Sequence, residues 1–335
     1  MSLAELNAKL ETGDLDVAEI DAAFAEIMDG RAPHDEIKRF LALTIPRMSD
    51  PAWIAGGARA LRSRMLRVAA PADAIDVCGT GGDGAQTLNI STAVAFVVAG
   101  CGAPVAKHGN RAMSSRSGAA DVLEALDVKL TGDVPTLERC LREASVAFLF
   151  AQNHHPAMRH VAQARRELGQ RTIFNLLGPL SNPAGVKRQL IGVFSADFLE
   201  PVAGALKALG AEKAWAVHGA GGLDELSAAH ADANTVAILD GGAITRVTAT
   251  MAADVDPDLR GGTAEENAAE LRALLGGGGR PGHRKAVILN AAGALVVAGR
   301  AKDVPEAWPM AEHSIDSGAA REALEKLIDV SRSAP

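Results

Sequence analysis

Tyrosine is absent from this 335-residue chain, and the other aromatics are few: eight Phe and three Trp. A core cannot be built on rings. With 48% hydrophobic residues it must be built from Ala, Leu and Val, which favours helices packed on helices and on a parallel sheet. Basic residues are in deficit, 34 Lys and Arg against 41 Asp and Glu, for a net charge of −7. That argues against a nucleic-acid binder, whose phosphate contacts need a basic face. Cysteine is scarce, and Cys78, Cys101 and Cys140 form no CxxC pair. Neither a zinc site nor a disulfide frame is expected, and a reducing compartment fits. The longest apolar run, 286–299, contains Asn290 and falls short of the ~20 residues of a membrane span, so it reads as a buried helix. The opening Met1-Ser2-Leu3-Ala4-Glu5 carries an early acid and no basic or apolar leader. No signal peptide is read there, and the expected location is the cytoplasm, with no membrane partner.

Glycine, by contrast, is abundant, and four of the 34 fall in one stretch. Asp76-Val77-Cys78-Gly79-Thr80-Gly81-Gly82-Asp83-Gly84 runs on to Thr87-Leu88-Asn89-Ile90-Ser91-Thr92. An apolar strand leads into glycines that admit positive φ and close approach. Hydroxyl and amide side chains then open an apolar helix, whose N-terminus offers free N–H groups and partial positive charge. Strand, glycine turn and helix start together form an anion site suited to phosphate. The spacing is neither a Walker A loop nor a Rossmann fingerprint. A tight turn or a single N-cap is the simpler reading, but a cap uses one polar residue, and here Asn89, Ser91 and Thr92 make three.

Residues 2–66 read as all-helical, on the spacing of Leu10, Ile20, Phe24, Ile27 and Met28 and of Ile37, Phe40, Leu41 and Leu43. From about residue 74 strands and helices alternate. Strands are expected at 75–78, 104–106, 146–150, 190–194 and 214–217, and helices at 89–100, 118–126, 155–168 and 198–209. This is the pattern of βαβ units and a parallel sheet. Residues 107–117 are taken as a polar loop and 172–183 as irregular. A hairpin is expected over 236–247, then helices at 264–275, 286–299 and 317–330.

Three further clusters carry chemistry. Lys107-His108-Gly109-Asn110-Arg111 and Ser114-Ser115-Arg116-Ser117 supply cations and hydroxyls after a strand, a mixture suited to phosphate oxygens. Two anion-type loops after neighbouring strands point to a ligand with two phosphate centres. Asp224-Glu225 offers hard oxygen ligands suited to Mg²⁺, although acids at a helix start are also an ordinary dipole pairing. His155 and Arg165 could share a cleft, where a guanidinium would bind a carboxylate as a fork. Adjacent His154 and His155 do not face one site on a helix. Ser91 has no evident paired base, which makes a hydrolase triad a poor fit.

Taken in register, these motifs, with His155-Pro156-Ala157-Met158, Arg171-Thr172-Ile173-Phe174-Asn175-Leu176-Leu177-Gly178-Pro179-Leu180 and Gly222-Leu223-Asp224-Glu225, resemble the anthranilate phosphoribosyltransferase family of tryptophan biosynthesis. The resemblance implies an α/β fold: a small all-helical domain over 1–70, joined by about 165–185, and a larger α/β domain over 71–335 with a mainly parallel sheet. It implies a homodimer, contact with anthranilate synthase, and transfer of phosphoribosyl from phosphoribosyl pyrophosphate to anthranilate with Mg²⁺. Residue by residue, Gly79, Gly82, Asp83, Thr87, Asn89, Ile90, Ser91, Thr92, Lys107, His108, Gly109, Asn110, Arg111, Ala112, Met113, Ser114, Ser115 and Ala119 would bind phosphoribosyl pyrophosphate. Gly79, His108, Asn110, His155, Arg165 and Pro179 would meet anthranilate, with positioning by Asn110, Arg165 and His108 and no acid or base assigned. Ser91, Asp224 and Glu225 would hold Mg²⁺. Ala119 stands where many relatives carry a hydroxyl, Asp127 where glycine is common, and 43–53 departs from the usual helix linker. The rival readings are a pyrimidine nucleoside phosphorylase and a non-catalytic nucleic-acid-binding paralogue of the same fold.

Overall fold

The computed structural model describes residues 1–112, 116–229, 234–249 and 258–333. Four helices come first: α1 (Leu3–Thr12), α2 (Val17–Met28), α3 (His34–Thr44) and α4 (Pro51–Arg62). Ser2 with Glu5, and Asp16 with Glu19, form capping boxes that satisfy the orphan N–H groups of the first two. Asp50 caps α4 with Pro51 at its first position, so the 43–53 segment is the end of α3, one 3₁₀ turn over Ile45–Arg47 and the start of α4.

The alternating region follows as β1 (Ile75–Gly79), α5 (Ile90–Gly100), β2 (Val105–Gly109), α6 (Ala119–Ala125), α7 (Val134–Glu143), β3 (Val146–Phe150), α8 (Ala151–His154), α9 (Arg159–Leu168) and α10 (Phe174–Leu177). It continues with β4 (Arg188–Gly192), α11 (Leu199–Ala208), β5 (Lys213–His218), β6 (Asn234–Asp240) and β7 (Ala243–Ala249). The last helices are α12 (Ala264–Leu275), α13 (Pro281–Val297), α14 (Val304–Asp316) and α15 (Ala319–Arg332). No helix among the described residues is long and apolar enough to cross a membrane.

The seven strands form one sheet in the order β3-β2-β1-β4-β5-β6-β7. The first five are parallel, and β6 and β7 add antiparallel as the expected hairpin. Strand order reverses at the β1/β4 boundary, where open α/β sheets leave a crevice at their carboxyl ends.

Two apolar clusters lie against the sheet. One joins α5, α6, α7, α12, α13, α14 and α15 to residues such as Val77, Val105 and Trp215. The other joins α1–α4, α9, α10 and α11 to Ile191, Ala216 and Ala237 on the sheet. Each cluster buries four of the few aromatics, Phe96, Phe148, Phe150 and Trp215 in the first and Phe24, Phe40, Trp53 and Phe174 in the second. Phe24 meets Phe40, Trp53 and Phe174 at ring-centroid distances of 5.3, 6.4 and 5.9 Å. Trp53 is fully buried there, Trp215 is buried in the first cluster, and Trp308 on α14 lies under the Lys285 ammonium.

Several expectations shift. The β2 strand extends through Lys107, His108 and Gly109, which the sequence reading assigns to a loop. Lys107 and His108 are buried. Helices α7 and α14 are not expected from the sequence, and α14 carries Pro309 in its interior, a residue that reads as a break. Helix α13 begins at Pro281, five residues early, across His283, Arg284 and Lys285. Asp127 takes φ 72°, the left-handed conformation that glycine adopts freely.

Candidate active site

β1 and β4 end in register on Gly79 and Gly192. A Cβ on Gly192 would lie 1.4 Å from the Asp224 carbonyl oxygen, and one on Gly79 would lie 2.4 Å from Asp224 Oδ2. Only glycine at both strand ends leaves room for the Asp224 carboxylate over β1 and its main chain over β4. Past Gly79 the chain turns with positive φ at Gly81, Gly82 and Gly84. The Gly81 N–H donates to Asp224 Oδ2 at 2.7 Å, and the Asp224 N–H donates to Asp83 Oδ2 at 3.4 Å. Arg171 donates to the Gly82 carbonyl, and its guanidinium lies 4.2 Å from the centroid of Phe194.

The start of α5 faces the same point. The Ser91 N–H donates to Glu225 Oε1 at 3.2 Å. From β2, Lys107 Nζ donates to Ser91 Oγ at 3.1 Å and to the Val77 carbonyl at 2.7 Å. A cation on a strand is tolerated because its ammonium is hydrogen-bonded and lies near the buried Asp76 carboxylate. The sequence reading missed Asp76, which accepts from the His108 N–H at 3.0 Å. Burial, then the charge of Asp83, raises the Asp224 carboxyl to about 7. Burial, then Asp224, raises Glu225 to about 8. These are two hard-oxygen ligands that repel each other beside a hydroxyl, a donor set that fits a divalent cation.

Asn89 caps α5, but its side chain makes no bond to that helix. Its Nδ2 donates to the Ser117 carbonyl at 3.3 Å, and its Oδ1 accepts from Asn267 Nδ2 at 2.9 Å. Thr87 forms an isolated bridge with Arg260. Ile90 and Thr92 are buried, and the Thr92 hydroxyl has no hydrogen-bond partner among the described residues. Arg111 does not stand free for a phosphate. It pairs with Asp121 at 2.8 Å and Glu124 at 2.6 Å on α6. Ala112 N–H donates to Asp121, and Ala119 opens α6. Met113, Ser114 and Ser115 lie outside the described residues.

On the other side of the crevice, His108 Nδ1 lies 3.0 Å from the Gly178 carbonyl and His108 Nε2 lies 3.2 Å from His155 Nε2. The carbonyl requires a proton on His108 Nδ1, so His108 Nε2 accepts from His155 Nε2–H. Burial holds both imidazoles neutral, lowering His155 to about 4. Pro179, next to Gly178, is buried. His154 turns away, to the Leu66 carbonyl. Asn110 is exposed where β2 ends, and its Oδ1 accepts from the Arg111 N–H at 2.8 Å. Arg165, half-buried on α9, lies 5.8 Å from the Phe174 centroid. Burial lowers its pKa, and no carboxylate among the described residues pairs with it.

Residues 71–321 match the model of the glycosyl transferase family, a/b domain. The anthranilate phosphoribosyltransferase of Beijerinckia indica subsp. indica is 51% identical over 330 residues, covering 97% of this chain and 96% of that relative. The crystal structure of the enzyme of that name from Thermus thermophilus superposes with a TM-score of 0.90 at 38% identity, covering 98% of this chain and 99% of that one. The Saccharomyces cerevisiae enzyme in complex with PRPP and Mg gives 0.86 at 26%, over 99% and 98%. A glycine loop, a buried lysine and paired carboxylates at the sheet's switch point accord with these likenesses, and the chain belongs to the anthranilate phosphoribosyltransferase family.

Proposed function

We propose that the β1/β4 crevice is where this chain transfers the phosphoribosyl group of 5-phosphoribosyl 1-pyrophosphate to the amine of anthranilate, releasing pyrophosphate. One observation carries this placement. The mutually repelling Asp224–Glu225 pair is held against the phosphate-type donors of the glycine loop and of α5. Ser91, Asp224 and Glu225 would hold Mg²⁺. The yeast relative in complex with PRPP and Mg supports Mg²⁺ as the cation. When bound, the cation neutralises charge on the departing pyrophosphate.

The chain's own residues do the rest. N–H groups of the glycine loop and the start of α5 take phosphate oxygens, with Gly79, Gly82, Asp83, Thr87, Asn89 and Lys107 around them. Arg165 binds the anthranilate carboxylate as a fork, and Asn110, His108, His155 and Pro179 line its approach. As the ribosyl C1–O bond breaks, the neutral amine forms the C1–N bond and then loses one proton. An aryl amine is unprotonated at pH 7, so no strong base is needed first, and positioning carries the catalysis. Closure of a helical unit, residues 1–70 with about 165–185, over the 71–335 unit would exclude water. The packing of Phe174 on Phe24 supports that division. The reading extends to a cytoplasmic homodimer in contact with anthranilate synthase, on the family resemblance.

The test mixes purified protein, anthranilate, phosphoribosyl pyrophosphate and Mg²⁺ and follows anthranilate fluorescence. Loss that requires both phosphoribosyl pyrophosphate and Mg²⁺ is expected. No loss from folded protein that still binds phosphoribosyl pyrophosphate would mean another acceptor.

A further inference from the structure

Leu226 and Ser227, which follow the carboxylate pair, belong to no strand. Two asparagine side chains stand in for one. Asn290, in the middle of α13, is fully buried. Its Oδ1 accepts from the Leu226 N–H at 2.8 Å, and its Nδ2 donates to the Leu226 carbonyl at 2.9 Å. The same Nδ2 donates to the Ala286 carbonyl one turn back, at 2.9 Å. Asn234, the first residue of β6 and also fully buried, repeats the arrangement on Ser227, at 2.7 Å from its N–H and 2.9 Å to its carbonyl. Each side-chain amide closes the two-bond ring that a neighbouring peptide would close.

Four hydrogen bonds therefore fix the main chain of the two residues just beyond Glu225. The other side is closed by main chain. A Cβ on Gly192 would overlap the Asp224 carbonyl, and one on Gly219 would lie 2.1 Å from the Glu225 carbonyl. Carboxylates that repel each other will drift apart unless their backbone is held. Partners behind metal ligands tune affinity in this way.

We infer that Asn290 and Asn234 are positioning residues for the cation-binding carboxylates, an inference that rests on the assignment of Asp224 and Glu225 given above. Neither touches substrate. They act by keeping Asp224 and Glu225 on one point.

The experiment uses the full chain with Asn290→Leu, similar in shape but unable to make either bond, and with Asn234→Leu. Mg²⁺ is titrated calorimetrically into protein and phosphoribosyl pyrophosphate without anthranilate, so no turnover is needed. Mg²⁺ activation and the anthranilate KM are measured separately. The expected result is an Mg²⁺ requirement raised about tenfold or more in both titrations, with the anthranilate KM unchanged. Folded variants with the wild-type Mg²⁺ response overturn the inference. So does a loss shared equally between Mg²⁺ and anthranilate, which is general loosening. If Asn290→Leu does not fold, Asn290→Ser and Asn234→Leu are read by the same criteria. A wild-type protein that binds Mg²⁺ with phosphoribosyl pyrophosphate but gives no turnover sinks the proposed reaction instead and leaves the calorimetric comparison standing.

Discussion

Arg165 is a half-buried guanidinium with an aromatic ring beneath it and, among the described residues, no carboxylate opposite. Such a group is stabilised by an anion that arrives from outside. Arg165→Ala is expected to raise the anthranilate KM about 10- to 100-fold, the worth of a charge-assisted pair, while the phosphoribosyl pyrophosphate KM holds. Steady-state kinetics with each substrate varied will tell, and an equal rise in both removes the assignment. Asp224 and Glu225 give a second expectation. Their folded values, about 7 and 8, lie above the ~4 of an unfolded carboxyl. Their contribution to stability is therefore complete below about pH 4 and is lost as pH rises through 7 to 8. The melting temperature of cation-free protein should fall between about pH 4 and 8. Asp224→Asn with Glu225→Gln should flatten that fall in scanning calorimetry; an unchanged slope would assign it to other groups. At this scale the carboxylate pair and Arg165 were legible as residue types in a motif. Asp76, Asn234 and Asn290 were not. Their work is done through partners 32, 7 and 64 positions away, and one sequence cannot show such pairings. Asn290 left a trace, as an amide inside an apolar helix, but was read only as evidence against a membrane span.

Among the elements, the ends of β1 and β4 set what the crevice can hold. Gly192→Ala introduces a methyl into the Asp224 main chain, where no rotamer gives relief. The variant should lose roughly 1–3 kcal/mol of stability, as overpacked sites do, and most of its Mg²⁺-dependent turnover. Denaturant unfolding and an Mg²⁺ activation curve measure the two, and an unaltered activation curve would show that the strand ends do not place the carboxylates. Most strands were found from the sequence to within a few residues, because parallel strands buried on both faces read as short apolar runs. The β2 strand was cut short because Lys107 and His108 look like loop residues until their buried partners are known. Helix α14 was missed because Pro309 lies inside it, and the first turn of α13 because His283, Arg284 and Lys285 hide its period.

For the whole molecule, the two-cluster core was only half legible. Composition pointed to an aliphatic core, yet each cluster also buries four of the scarce rings. In the helical cluster Phe174 arrives from beyond residue 165 to meet Phe24. Phe174→Ala should cost about 3–5 kcal/mol, seen in urea unfolding. It should also raise the anthranilate KM, because Arg165 rests on that ring. Lost stability with an unchanged KM would separate the cluster from the site. The same distribution of rings gives the chain a built-in spectroscopy. With no tyrosine to absorb or transfer light, its near-ultraviolet emission comes from three indoles in three surroundings. Trp53 sits in the helical cluster, Trp215 in the sheet cluster and Trp308 beside Lys285. Replacing Trp308 and one of the others with Phe would leave a single-colour reporter for each half of the molecule, able to show whether helices and sheet melt together or in turn.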